Sequence, residues 1–326
     1  MTNVLFFYGG LFFFSLLLTW GVKGYAIRKA ILDHPNERSS HTMPTPRGGG
    51  LAIVITFYLG AGYLYATDTL DPQLFYAFVS AFPLIIVSFL DDIYTLGSKI
   101  RLAAQLLASI FALAALGGVE TLSLPLIQLH GWWLNIPIVL GLIWLINLYN
   151  FLDGIDGYAG SEAVFIGIAV AVLFGYEIGW VVTAGALGFL MFNWQKAKIF
   201  MGDIGSTFLG FVFAVLMIYS FNHGESLEIW LIILGLFWVD ATLTLIRRAR
   251  NKEKLSEAHR KHAYQRITQA GWSHQKTVLA GMGINFLGLL PLFWLHTSSY
   301  LVPYGVIYIL TLILVVYLID KVKPFS

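Results

Sequence analysis

The chain has 326 residues, 58% of them hydrophobic and only 12% charged, with a net charge of +2. Soluble domains carry about one quarter charged residues, so a soluble globular enzyme and a disordered chain are both excluded and a polytopic membrane protein remains. The absence of cysteine excludes a disulfide framework and a thiolate metal site.

A helix crosses a bilayer core with about 20 apolar residues. In chain order, segments of this kind fall at 5–22, 49–66, 73–90, 102–119, 132–151, 162–175, 178–193, 205–221, 227–246, 277–295 and 300–319. The expected fold is all-α, one membrane domain over 1–326 with about 11 transmembrane helices. The sixth and seventh segments are short and separated only by Tyr176 and Glu177, which suits either a tight hairpin or a re-entrant pair. No basic residue precedes the first segment, so it reads as a retained span rather than a signal peptide.

The 20 Lys and Arg residues all fall in alternate connections: after the first, third, seventh and ninth segments, and after the last. The opposite connections hold none. The positive-inside rule makes the charged side cytoplasmic. The N-terminus is then outside and the C-terminus inside, which requires an odd number of spans.

Polar motifs concentrate on that same side. Asp91 and Asp92 end the third segment, with Lys99 and Arg101 close behind. Asn147, Asn150 and Asp153 are spaced by three and can share one helical face, and two Asp-Gly steps, at Asp153 and Asp156, follow. Asp203 stands between Gly202 and Ile204-Gly205, before a helix that opens with Ser206 and Thr207. A proline-rich loop carries His41 and then Pro44-Thr45-Pro46-Arg47 ahead of three glycines. The largest loop holds His259 and His262, three apart on a predicted short helix, and Arg266. Asp240, near the basic end of the ninth segment, either pairs with an arginine of the 247–250 group or faces a groove.

Each motif has a plain alternative, such as a solvated helix end, an N-cap or a lipid-headgroup contact. Together they say more. Close carboxylates repel unless a cation lies between them, and hard oxygen ligands suit magnesium or manganese. Glycine turns and arginine forks suit phosphate. A divalent cation, a polyphosphate and an apolar groove point to a nucleotide-linked donor reacting with a lipid-linked phosphate. A transporter of a phosphorylated or nucleotide-linked substrate is the alternative, but it would place its ionisable groups near the bilayer midplane in two repeated halves.

In their order, Asp91-Asp92, Asn147-x-x-Asn150-x-x-Asp153-Gly-x-Asp156-Gly and Gly202-Asp203-x-Gly205-Ser206 resemble the polyprenyl-phosphate N-acetylhexosamine-1-phosphate transferase superfamily. The likeness runs from about residue 33 to 272, with the loop His259-Arg-Lys-His262 closer to the O-antigen initiating subgroup than to the peptidoglycan branch. The resemblance implies attack of undecaprenyl phosphate on the β-phosphorus of a UDP-N-acetylhexosamine, with UMP leaving. It implies a magnesium ion (or manganese) on Asp203 and Asn150, and Asp91 and Asp92 as the catalytic pair at the lipid phosphate. It places Asn147, Asp153, Asp156, His259, His262, Arg266, Arg47 and His41 in substrate binding. The implied setting is a bacterial cytoplasmic membrane with the site facing the cytoplasm, membrane lipid as surroundings, a homodimer allowed, and no nucleic acid partner.

Overall fold

The computed structural model describes residues 2–35, 43–124, 127–255 and 259–325. Helix α1 (Thr2–Arg28) leads into a two-residue strand β1 (Leu32–Asp33), which pairs antiparallel with β2 (Thr45–Pro46). Helices α2 (Gly50–Ala66), α3 (Pro72–Val79), α4 (Phe82–Tyr94) and α5 (Ser98–Ala115) follow. A hairpin of β3 (Thr121–Leu124) and β4 (Ile127–His130) leads to α6 (Asn135–Phe151), α7 (Tyr158–Leu173), α8 (Ile178–Asn193) and α9 (Asp203–Asn222). The last group is α10 (Leu227–Ile233), α11 (Gly235–Arg250), α12 (Ala263–Gln269), α13 (His274–Leu289), α14 (Leu292–Leu295) and α15 (Leu301–Val322).

Among the described residues, seven helices are long and apolar enough to cross a membrane, and the α10–α11 pair, bent by 81°, makes an eighth if counted as one span. Three shorter apolar helices, α2, α7 and α8, complete the set. The protein is thus an all-α polytopic membrane protein. The third expected segment is one span, Pro72–Tyr94, in which α3 and α4 are separated by a short break, because Pro83 sits in the first turn of α4 and lacks the amide that would continue α3. The sixth and seventh form a tight hairpin: a Cβ at Gly167 would lie 2.8 Å from the Gly179 carbonyl, so the two backbones nearly touch.

Helix α9 is the centre. Within its most apolar window 83% of residues are buried, against 22–33% in the other long spans. Those outer helices turn Leu287, Trp294, Ile307 and Leu310 outward, as lipid-facing surfaces do. Around α9 the packing is close enough to dictate glycine. A Cβ on Gly50, the first residue of α2, would lie 2.2 Å from the Gly205 Cα, so the start of α2 rests on the first turn of α9, backbone against backbone.

Candidate active site

That contact aims the proline-rich segment. The Phe200 amide donates to the Pro46 carbonyl at 2.8 Å, and the Gly49 and Gly50 amides donate to the Phe200 and Met201 carbonyls at 2.9 and 2.8 Å. Arg47 is thereby laid across two carboxylates. Its Nε forms an ion pair with Asp92 at 2.8 Å and its Nη2 donates to Asp203 at 3.1 Å. Arg101, on the first turns of α5, bridges Asp91 at 3.3 Å and Asp203 at 3.5 Å. Two arginines from two sequence motifs therefore converge on Asp203.

The two aspartates of the pair have different surroundings. Asp92 is buried, and its two oxygens accept the backbone amides of Asp203 at 2.8 Å and Ile204 at 3.2 Å. It caps α9, satisfying amides that a helix start leaves free. Gly202 makes room for it. The residue has φ +76°, and a Cβ there would lie 2.4 Å from an Asp92 oxygen. Asp91 accepts the Leu96 amide with one oxygen and turns the other toward Arg101.

Asp91, Asp203, Arg47, Arg101, Asn147 and Asn150 line one cavity of about 670 Å³, together with Lys99, Ser98, His259 and His262. Leu84, Val87, Leu102, Phe151 and Leu255 give the same cavity an apolar wall. Asn147 is fixed by a reciprocal amide pair with Gln105, at 3.2 and 2.8 Å. Asn150 accepts from Ser206 at 2.6 Å.

Asp92, Asp153, Asp156 and Arg266 are not in this wall. Helix α6 ends at Phe151, so Asp153 leaves the face shared by Asn147 and Asn150. Asp153 nonetheless feels the site. Burial, reinforced by Asp203 and opposed by Arg47, pushes its carboxyl up to about 7. Asp156 accepts the Ala197 amide at 3.2 Å and lies 3.3 Å from His274, where it joins two loops. Arg266 points away from the cavity to Asp320 and the Lys323 carbonyl. His259 and His262 do not share a helix, since α12 begins only after His262; their rings instead pack at 4.8 Å. Burial beside His262 and Arg248 pushes His259 down to about 4, so it is neutral at pH 7. His41 lies outside the described residues.

The reading of the sequence passed over Arg101 and Gln105 as cavity residues. Arg101 had a signal, a cation ten residues after Asp91; Gln105 lies on a helix four residues further and had none.

The described residues hold no group of three or more His, Cys, Asp or Glu arranged around one point. The cavity does offer oxygen donors, the Asp91 and Asp203 carboxylates and the Asn150 amide oxygen. Magnesium commonly takes only one or two carboxylates and completes its shell with water and substrate phosphates. These residues fit an ion of that kind, and Asp203 with Asp91 would hold it.

The family model for glycosyl transferase family 4 matches residues 74–221. This stretch contains every motif aspartate described above. A probable undecaprenyl-phosphate N-acetylglucosaminyl 1-phosphate transferase of Bacillus subtilis is 32% identical over 331 residues, covering 95% of this chain and 92% of the relative. The chain belongs to glycosyl transferase family 4. Within that family it is also 32% identical to a phospho-N-acetylmuramoyl-pentapeptide-transferase of Shouchella clausii, over 77% of this chain and 84% of the relative. It is 27% identical to an undecaprenyl-phosphate alpha-N-acetylglucosaminyl 1-phosphate transferase of Yersinia pestis, over 86% and 81%. This family 4 member is therefore a transferase of the polyprenyl-phosphate N-acetylhexosamine-1-phosphate superfamily.

Proposed function

We propose that this transferase moves an N-acetylhexosamine-1-phosphate from a UDP-sugar to undecaprenyl phosphate, releasing UMP, as the first step of a cell-surface polysaccharide. N-acetylglucosamine is the leading sugar, because the relatives from Bacillus subtilis and Yersinia pestis are named for it. The observation that carries the reading is the cavity wall. It holds Arg47, Lys99 and Arg101 with Asp91 and Asp203, together with the apolar Leu84, Val87 and Leu102. A lipid phosphate needs both kinds of wall, cationic for its head and apolar for its chain.

In this mechanism a phosphate oxygen of the lipid attacks the β-phosphorus of the donor, and the bond from that phosphorus to the bridging oxygen of UMP breaks. The lipid phosphate already carries a nucleophilic oxygen, so no strong base is required. Arg47 and Arg101 hold the phosphate charge through forked hydrogen bonds. Asn147 and Asn150, fixed by Gln105 and Ser206, orient the groups beside Asp203. Asp203 and Asp91 would hold a magnesium ion, which would neutralise phosphate charge. Asp92 acts from behind the wall by holding the α9 start in place. The partition of basic residues supports eleven spans, a cytoplasmic cavity and an external N-terminus, and the bacterial relatives support a bacterial inner membrane.

Purified protein given undecaprenyl phosphate, magnesium and a panel of UDP-N-acetylhexosamines is expected to release UMP only when lipid and metal are both present. Folded protein that neither releases UMP nor binds any UDP-sugar would overturn the reading.

The Asp153 carboxyl adds a pH dependence. Burial favours its neutral form up to about pH 7, while a cation nearby favours the ionised form. Magnesium binding should therefore release protons and strengthen as pH rises through 7. Calorimetric titrations at pH 6 and pH 8 check this; equal affinities at both would remove Asp153 from the site.

A further inference from the structure

Helix α12 has seven residues, too few to be stable alone, yet it carries His262 at its start and buries Gln265 and Arg266. Both of its ends are gripped. At the start, the Asp240 carboxylate accepts the amides of Ala263 at 2.8 Å and Tyr264 at 3.3 Å, and lies 3.6 Å from His262 Nδ1. Thr244 donates to the same carboxylate at 3.1 Å.

At the other end, Arg266 is 3% exposed and bonds to Asp320, with a further bond to the Lys323 carbonyl at 2.8 Å. Asp320 is also held by both Nη atoms of Arg247, at 3.0 and 2.8 Å. The Phe325 ring lies under three cations, with Arg247 at 5.4 Å and Lys261 and Arg266 both at 5.6 Å. Asp240 and Arg247 are seven residues apart on α11, two turns along one face. A single helix face thus holds one end of α12 directly and the other through Asp320.

We propose that α11 and the 320–325 segment form a clamp whose task is to present His262 and His259 to the cavity, making Asp240, Asp320 and Phe325 positioning residues for the donor. This rests on the transferase reading above and on the resemblance that puts both histidines in substrate binding, and it assigns them to the donor. Of the described part of the 247–276 loop, only Leu255, His259 and His262 reach the cavity wall. The partners of Asp320 and Phe325 given above are Arg247, Lys261 and Arg266, none of which lines the cavity around Asp203. Loss of the clamp should therefore register on one substrate and not on the other.

The test uses the full chain in detergent, with Asp320→Asn, Asp320→Glu and Phe325→Ala measured beside wild type. A small displacement of a substrate-facing group costs one to two orders of magnitude, so the donor KM should rise about tenfold in Asp320→Asn. The acceptor KM should stay within about twofold, because the α9 end of the cavity is untouched. Asp320→Glu should recover most of the loss, and Phe325→Ala should show a smaller shift of the same kind. Donor and acceptor KM moving together, or neither moving in Asp320→Asn and Phe325→Ala, would overturn the clamp alone. Absence of UDP-sugar turnover in wild type would overturn the transferase reading and the clamp with it. Should Asp320→Asn fail to fold, Phe325→Ala decides, since that ring lies at the rim of the arrangement and only packs on its cations.

Discussion

Asp203→Asn should abolish turnover, by about three orders of magnitude, while the protein stays folded. The carboxylate receives Arg47 and Arg101 and lies in the cavity wall, so its charge is the point on which the basic groups converge. Asparagine keeps the shape and the Thr207 hydroxyl bond to the Asp203 backbone carbonyl at 2.6 Å, which is why folding should survive. What it removes is the negative charge that a divalent cation requires. The measurement is UMP release against magnesium concentration, with thermal unfolding as the control on folding. Near-normal magnesium-dependent activity would sink the metal assignment.

Asp91→Asn and Asp92→Asn should separate two residues that look equivalent in the sequence. Asp92 is buried under the α9 start, accepts two amides and pairs with Arg47, so an amide nitrogen in place of one oxygen would face a donor. Leaving buried donors and a charge without their partner costs about 3 kcal/mol. The expected result is a clearly lowered thermal midpoint together with a loss of activity. Asp91 keeps an oxygen for the Leu96 amide after the same change, and its partner Arg101 is 41% exposed. A partly solvated pair contributes at most about 1 kcal/mol. Asp91→Asn should therefore lose turnover, by about a hundredfold, with stability close to wild type. Equal stability of the two variants would contradict the capping role of Asp92.

These two aspartates also mark where reading the sequence stopped. Adjacent acids at a helix end were visible in it, and so was their place beside the Asn147–Asp156 and Gly202–Ser206 motifs. Their division of labour was not, because it depends on α9 arriving from more than a hundred residues away to place its amides over Asp92. Asp240 is a similar case. An acid inside an apolar helix announced a partner, but the partner is the amide end of α12 and His262, not an arginine of its own helix. Arg266 and Asp156 show the reverse. Their residue types suited phosphate and nucleotide chemistry, yet packing turned one to Asp320 and the other to the Ala197 amide.

The sequence by itself determined the membrane class, the apolar segments, the side on which charge collects and the order of the motifs. Each of these follows from local composition, since a bilayer selects long apolar stretches and charge stays outside it. The tertiary structure alone decided which of the polar groups meet. Arg47 and Arg101 reach Asp203 only because Gly50 lets α2 close on Gly205 and because α4 and α5 pack beside α9. A contact between distant segments depends on the shape of everything packed between them, and no local pattern of residues encodes that shape.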